Sequence, residues 1–398
     1  MPVRHVFAKR WINPLHPSRR TAIKNMRPDT SRMSLPDALK AVACLTIVAH
    51  HLAAYGPMSE IAYPLFPRLL DRVYEHGRIA VQVFFVVAGF LFAGKHAPGG
   101  SLLVTDPVHI IKQRYFRLVI PYIVALIFAI GCAAIARCWM VHESIPGAAG
   151  FFQILAHALL LQDLLDQEAL SAGVWYVAID FQLFTLSVIL FWISRRIHAQ
   201  YPALKSIGMI LITSLTLASL FIFNRDTSLD ETAFYFFGSF GLGIVIYWIS
   251  NRQHNSQYPA LWLLLPVLVV IAALVVDFRS RIAVAGVVML ILGLARYYGS
   301  ILENLPMPYF LTYLGRISYS IFLVHFPLCM LVNATFFRFF PDQPATNACG
   351  LILALGVSIL GGAIFFRWIE NNGNAFIHAW RKIKDAVASV TKSPRLRV

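Results

Sequence analysis

The chain has 398 residues, of which 58% are hydrophobic and only 13% charged, and its mean hydropathy is +0.66. Soluble domains carry about 25% charged residues, so a water-soluble globule with a polar skin is excluded and a polytopic membrane protein is expected. The net charge of +15, from 34 Lys and Arg against 19 Asp and Glu, sits mainly in tails and short loops, which assigns it to membrane topology rather than to a nucleic-acid partner.

Residues 1–34 are basic, contain proline and lack an apolar core, so they read as a cytoplasmic tail rather than a signal peptide. Ten stretches then approach the roughly 20 apolar residues that a spanning helix needs. They are 37–55, 78–94, 118–136, 174–193, 206–223, 231–249, 260–276, 281–297, 309–333 and 350–369. A bilayer excludes unpaired backbone groups, so the expected fold is an all-α bundle of about ten transmembrane helices. An even number of spans puts both termini on one side. Segments on that side hold 23 Lys and Arg and those on the other side 8, which makes both tails cytoplasmic. The longest outer loop, 138–173, is acidic. Residues 35–370 form one membrane domain and 371–398 a second basic tail, with no linker to a soluble domain. The five cysteines form no CxxC pair, and neither a metal site nor a disulfide framework is expected.

The first span, DALKAVACLTIVAHHLAAYG, carries charge where lipid would tolerate little. At about 100° per residue, Lys40 and His51 fall on the same side of the helix as Asp37, and His50 falls nearly opposite. Asp37 either caps the helix or belongs to a polar stripe with Lys40 and His51. Lys40 either snorkels to phosphates or takes part in a site. His51 lies about 21 Å above Asp37, where an ionisable group is costly and marks function. In the second span Gln82 is polar, and Gly89 suits close helix packing.

Arg114 and Arg117 open the third span one turn apart, a forked cationic surface suited to phosphates or ordinary charge at a helix end. The fourth span starts at Val174 and brings Asp180 about 9 Å into the membrane, close to the depth expected for His51, so its partner is either an imidazole or a Lys or Arg in a structural ion pair. Trp175 and Tyr176 beside it fit either a substrate site or an interfacial aromatic belt. In the ninth span Ser318 and His325 share a face, and Arg316 adds a cation near its start. Asn333-Ala-Thr335 matches a glycosylation acceptor pattern. Cations (Lys40, Arg114, Arg117, Arg316) thus gather near the cytoplasmic face, and His51, Asp180 and His325 lie deeper. A phosphate-bearing donor entering from within would reach the histidine with its reactive end.

Five blocks in order carry a family resemblance. They are Asp37-x-x-Lys40-x(10)-His51, VQVFFVVAGFLF at 81–92, RYFRLVIPY at 114–122, VWYVAIDFQLF at 174–184 and YLGRISYSIFLVHFPL at 313–328. Together the chain resembles acyltransferase family 3, integral-membrane O-acyltransferases of cell-surface glycans. The resemblance implies a cytoplasmic acyl-CoA donor, with acetyl-CoA as the default, and transfer to a hydroxyl of a surface or lipid-linked glycan at a bacterial inner membrane. It carries the basic-x(10)-His pattern onto Lys40 and His51, and the Arg-x-x-Arg pattern onto Arg114 and Arg117. Ala88 stands where the family often has Ser, Lys40 where it often has Arg, and Asp180 where it commonly has Glu. On this reading His51 is the general base, with Asp180 or His325 to orient it. Lys40, Arg114, Arg117 and Arg316 hold the donor, and Gln82, Trp175, Tyr176 and Ser318 line the substrate site. The rival expectation is a proton-coupled secondary transporter, which buried His and Asp also suit, although no repeat of halves is visible.

Overall fold

The computed structural model describes residues 34–104, 106–250, 259–299 and 307–372. The basic tails expected at 1–34 and 371–398 lie outside these residues, apart from the few that flank the bundle. The described residues are helical, in the order α1 (Ser34–Ala54), α2 (Pro57–Ala62), α3 (Pro67–His76), α4 (Val81–His96), α5 (Pro107–Trp139), α6 (Phe151–Ala158), α7 (Val174–Gln200), α8 (Ile207–Phe221), α9 (Ala233–Ile249), α10 (Pro259–Val276), α11 (Ser280–Tyr298), α12 (Tyr309–Phe339) and α13 (Pro344–Phe365). Among the described residues, eight helical stretches are long and apolar enough to cross a membrane. Two shorter apolar helices, Ala233–Ile249 and Trp262–Val276, fall on the sixth and seventh expected spans. The second expected span is longer than its sequence suggests, because a 3-10 turn over Gly77–Ala80 joins α3 to α4.

α1 and α12 run parallel. Asp37 packs its backbone on Gly315, the Cys44 thiol donates to the Ser318 carbonyl at 3.5 Å, and Met58, just past α1, donates its N–H to Asn333 Oδ1 at 3.1 Å. α5 runs with them, since the Tyr319 hydroxyl donates to the Leu118 carbonyl at 2.9 Å and Cys132, Ala133 and Ala136 pack against Met330 and Ala334 farther along. The end of the bundle where α1, α5 and α12 begin is called proximal here, and the other distal. On the far side of α1, α4 lies directly on α9. A side chain at Gly89 would strike the Phe240 carbonyl, and one at Gly243 the Val86 carbonyl. Two glycines facing opposite backbones let the helices touch, the small-residue contact of membrane bundles.

Asn333 is not a glycosylation site. It is 2% exposed, and its amide bridges the two helices, donating to the Cys329 carbonyl at 3.1 Å while accepting from Met58. A buried side chain with both ends bonded is structural.

Candidate active site

α1 delivers His50 and His51 in its last turn, on different faces as the helical period requires. His50 turns to α3, where its Nδ1 lies 3.3 Å from the Val73 carbonyl and its ring 6.2 Å from the Tyr74 ring. His51 turns to α12. Its Nδ1 lies 2.6 Å from His325 Nε2, and the two imidazoles are nearly parallel at 13°. His325 is fully buried and His51 9% exposed.

The hydrogen bonds assign the tautomers. His325 Nδ1 lies 2.8 Å from the Phe322 carbonyl, an atom that only accepts, so Nδ1 carries the proton and donates. In the neutral ring Nε2 then holds a lone pair, and its neighbour His51 Nδ1 must be the donor. That leaves His51 Nε2 as the bare, basic nitrogen. A backbone carbonyl thus fixes one ring, and that ring fixes the next, as in other ordered histidine sites. Tyr55 covers the pair at the distal end, its ring 5.4 Å from His51 and 5.4 Å from Phe326.

Of the two partners open to Asp180, the structure gives it an arginine. α7 begins beside Tyr122, Ala125 and Phe322, within the bundle, so six further residues carry Asp180 toward the proximal end. There its carboxylate forms an ion pair with Arg114, and both hydrogen-bond. Asp180 is 4% exposed, and the Arg114 guanidinium also lies over the Phe184 ring at 5.3 Å. Arg114 Nε is buried without a hydrogen-bond partner among the described residues. Arg117, one turn on, is exposed, and Lys95 at the end of α4 lies within electrostatic reach of both arginines. His96 rests on Phe92 and Phe184, with ring centroids 5.3 and 5.5 Å away.

The other expected residues divide between this proximal mouth, the interior and the periphery. Lys40 forms an ion pair with Asp37 at 2.7 Å, within the first turn of α1. Arg316 is exposed on α12 with its guanidinium 5.4 Å from the Phe366 ring, a contact with the segment after α13. The Ser318 hydroxyl donates to the Gly315 carbonyl at 2.9 Å, within its own helix. Gln82 is buried and accepts from the Ser239 hydroxyl at 2.6 Å, tying α4 to α9. Trp175 packs on Phe236 at 5.6 Å. Tyr176 meets Phe84, Phe85 and Phe322 at 5.7, 5.1 and 5.2 Å, so an aromatic wall stands between the Arg114–Asp180 pair and the residue whose carbonyl holds His325.

Lys95 and His96 join the proximal centre without a signal strong enough to select them from sequence. They read as ordinary loop charge. The Ser320 hydroxyl donates to Glu370 Oε2 at 2.5 Å, a contact over fifty positions. The available clue is the Lys-His pair at the end of an otherwise apolar block.

A family model described as an acyltransferase domain matches residues 35–367, spanning the helices that hold both centres. Comparison with curated proteins and with solved structures finds no match.

Proposed function

Because the chain belongs to acyltransferase family 3, we propose that this membrane acyltransferase moves an acyl group, acetyl by default, from acyl-CoA to a hydroxyl of a surface or lipid-linked glycan. The observation that carries this reading is the bare Nε2 of His51, fixed through His325 and the Phe322 carbonyl.

The proximal mouth is the donor side. Arg117, Lys95 and Arg114 supply cations for the donor's phosphates, and Asp180 keeps the Arg114 fork in place. This mouth faces the cytoplasm on the positive-inside rule, with both tails on that side and the membrane a bacterial inner membrane. The thioester end passes the Tyr176 wall to the histidine pair.

At His51, Nε2 takes the proton of the acceptor hydroxyl as its oxygen bonds to the thioester carbonyl carbon. The carbon–sulfur bond then breaks, and the leaving thiolate takes the proton from the imidazolium. Ester and free CoA thiol are the products, and no electron or proton is left over. General base catalysis of this kind contributes about 10²–10⁴ in rate. His325 keeps the His51 proton on Nδ1, so the base is present before substrate binds.

Mass analysis of envelope glycans from cells with and without the chain tests the reading. The expected result is the disappearance of an acyl increment from one glycan in its absence. An unchanged glycan profile, with the chain expressed and then removed, contradicts it.

A further inference from the structure

Tyr55 follows directly on α1, one helical turn beyond His51, so the period puts both on one face. Its N–H donates to the His51 carbonyl at 3.0 Å, which keeps it in register with the helix. Aromatic side chains on a helix lie back over the turn before them. The Tyr55 ring accordingly meets His51 edge-on, at 69° with 5.4 Å between centroids, and leans on Phe326 at 84° and 5.4 Å. Phe326 is the neighbour of His325 on α12 and is buried. The ring therefore closes the groove between α1 and α12 just beyond the two imidazoles.

The chain after Tyr55 fixes the root of this ring. Gly56 has φ +98°, which L side chains rarely adopt, and a side chain there would strike Asn333. The bond from the Met58 N–H to Asn333 Oδ1 then pins the turn to α12. The ring itself is held by less. It is 38% exposed, and its hydroxyl makes no hydrogen bond among the described residues. Edge contacts with two rings are what keep it over His51, and such contacts are individually weak.

We propose that Tyr55 decides between acyl transfer and hydrolysis: its ring keeps water off His51 until the acceptor pushes it aside. The proposal rests on the acyltransferase reading and adds to it how the site selects its nucleophile. A site that admits an alcohol cannot turn water away by fit, because water is the smaller nucleophile. Such a site must stay covered while the donor is bound alone. Where water does reach His51, Nε2 takes one of its protons as its oxygen bonds to the thioester carbonyl carbon. The carbon–sulfur bond breaks, and the thiolate takes the proton from the imidazolium. The products are the free carboxylic acid and CoA thiol, and the acyl group is wasted.

The test uses the full chain purified in detergent and acetyl-CoA in water carrying heavy oxygen, with no acceptor present. Released thiol and labelled acetate are the readouts. Folded Tyr55→Ala is expected to hydrolyse acetyl-CoA about tenfold or more faster than the native chain, because His51 then gives water general-base help worth about 10²–10⁴ in rate. Tyr55→Phe restores the ring and is expected to return hydrolysis to the native level. Adding His51→Ala to Tyr55→Ala is expected to abolish the gain, which separates hydrolysis at this site from a loosened fold. Thermal denaturation confirms that each variant is folded. Native hydrolysis in Tyr55→Ala, raised hydrolysis in Tyr55→Phe, or a gain that survives without His51 overturns the proposal. None of these touches the acyltransferase reading, which a separate arm tests: envelope glycan from cells that lack the chain is expected to speed thiol release by the native protein. If it does not, that reading falls and the role of Tyr55 with it.

Discussion

Replacing His325 with Phe keeps a flat ring in a fully buried position but removes the atom that accepts from His51 Nδ1–H at 2.6 Å. The proton on His51 is then free to move to Nε2, and the reactive nitrogen is lost from part of the population. Leaving a buried donor unsatisfied costs about 1–3 kcal/mol. At 1.36 kcal/mol per decade this corresponds to a fall in kcat of about 5- to 150-fold. His325→Gln places an amide oxygen where Nε2 stood and is expected to recover part of that loss. The assay is acceptor-dependent release of CoA thiol by purified protein, followed over pH. The KM for acetyl-CoA is expected to stay near native in both variants, because the mouth that binds the donor lies at the opposite end. Native kcat in the Phe variant, or identical loss in Phe and Gln variants that are both folded, would refute the tautomer argument.

Asp180→Leu leaves the Arg114 cation without its carboxylate and is expected to cost about 3–5 kcal/mol of stability. Arg114→Met combined with Asp180→Leu removes both charges and should restore much of that loss in a thermal melt, while the KM for acetyl-CoA stays raised. Gly89→Val drives a side chain into the Phe240 carbonyl and should sharply reduce the amount of folded protein recovered from membranes, whereas the same change at Gly99, which has open space around it, should not. Asp163, in the loop before α7, has its carboxyl pushed up to about 6 by burial and by Glu231. Because the folded pKa lies above the unfolded value, ionisation opposes folding, so stability falls as pH rises from about 4 through 6. Asp163→Asn should therefore raise the melting temperature at pH 7, with the gain vanishing below pH 4.

The helices were legible because each follows a run of apolar residues, and lipid leaves the backbone no alternative to a helix. The two faces of α1 were legible for the same geometric reason, and they separate His50 from His51 as the period dictates. For Asp180 the sequence offered an imidazole or a Lys or Arg partner and could not choose between them. A sequence gives the distance of Asp180 from the start of α7, but not that α7 starts inside the bundle beside Phe322. The choice between His325 and Asp180 as the neighbour of His51 depends on the parallel register of α1 and α12, which is set by contacts such as Asp37 on Gly315 that lie hundreds of positions apart. Asn333 shows the same limit from the other side. A surface pattern of three residues carries no record of the Met58 amide that buries it.

The claim that bears most weight is that His51 Nε2 removes the acceptor proton. Initial rates of acetyl-CoA turnover with acceptor present, measured for the native chain and for folded, membrane-inserted His51→Ala, test it most directly. Loss of at least about 10²-fold in kcat, with acetyl-CoA still bound, is the expected result. Turnover by His51→Ala at the native rate would contradict it.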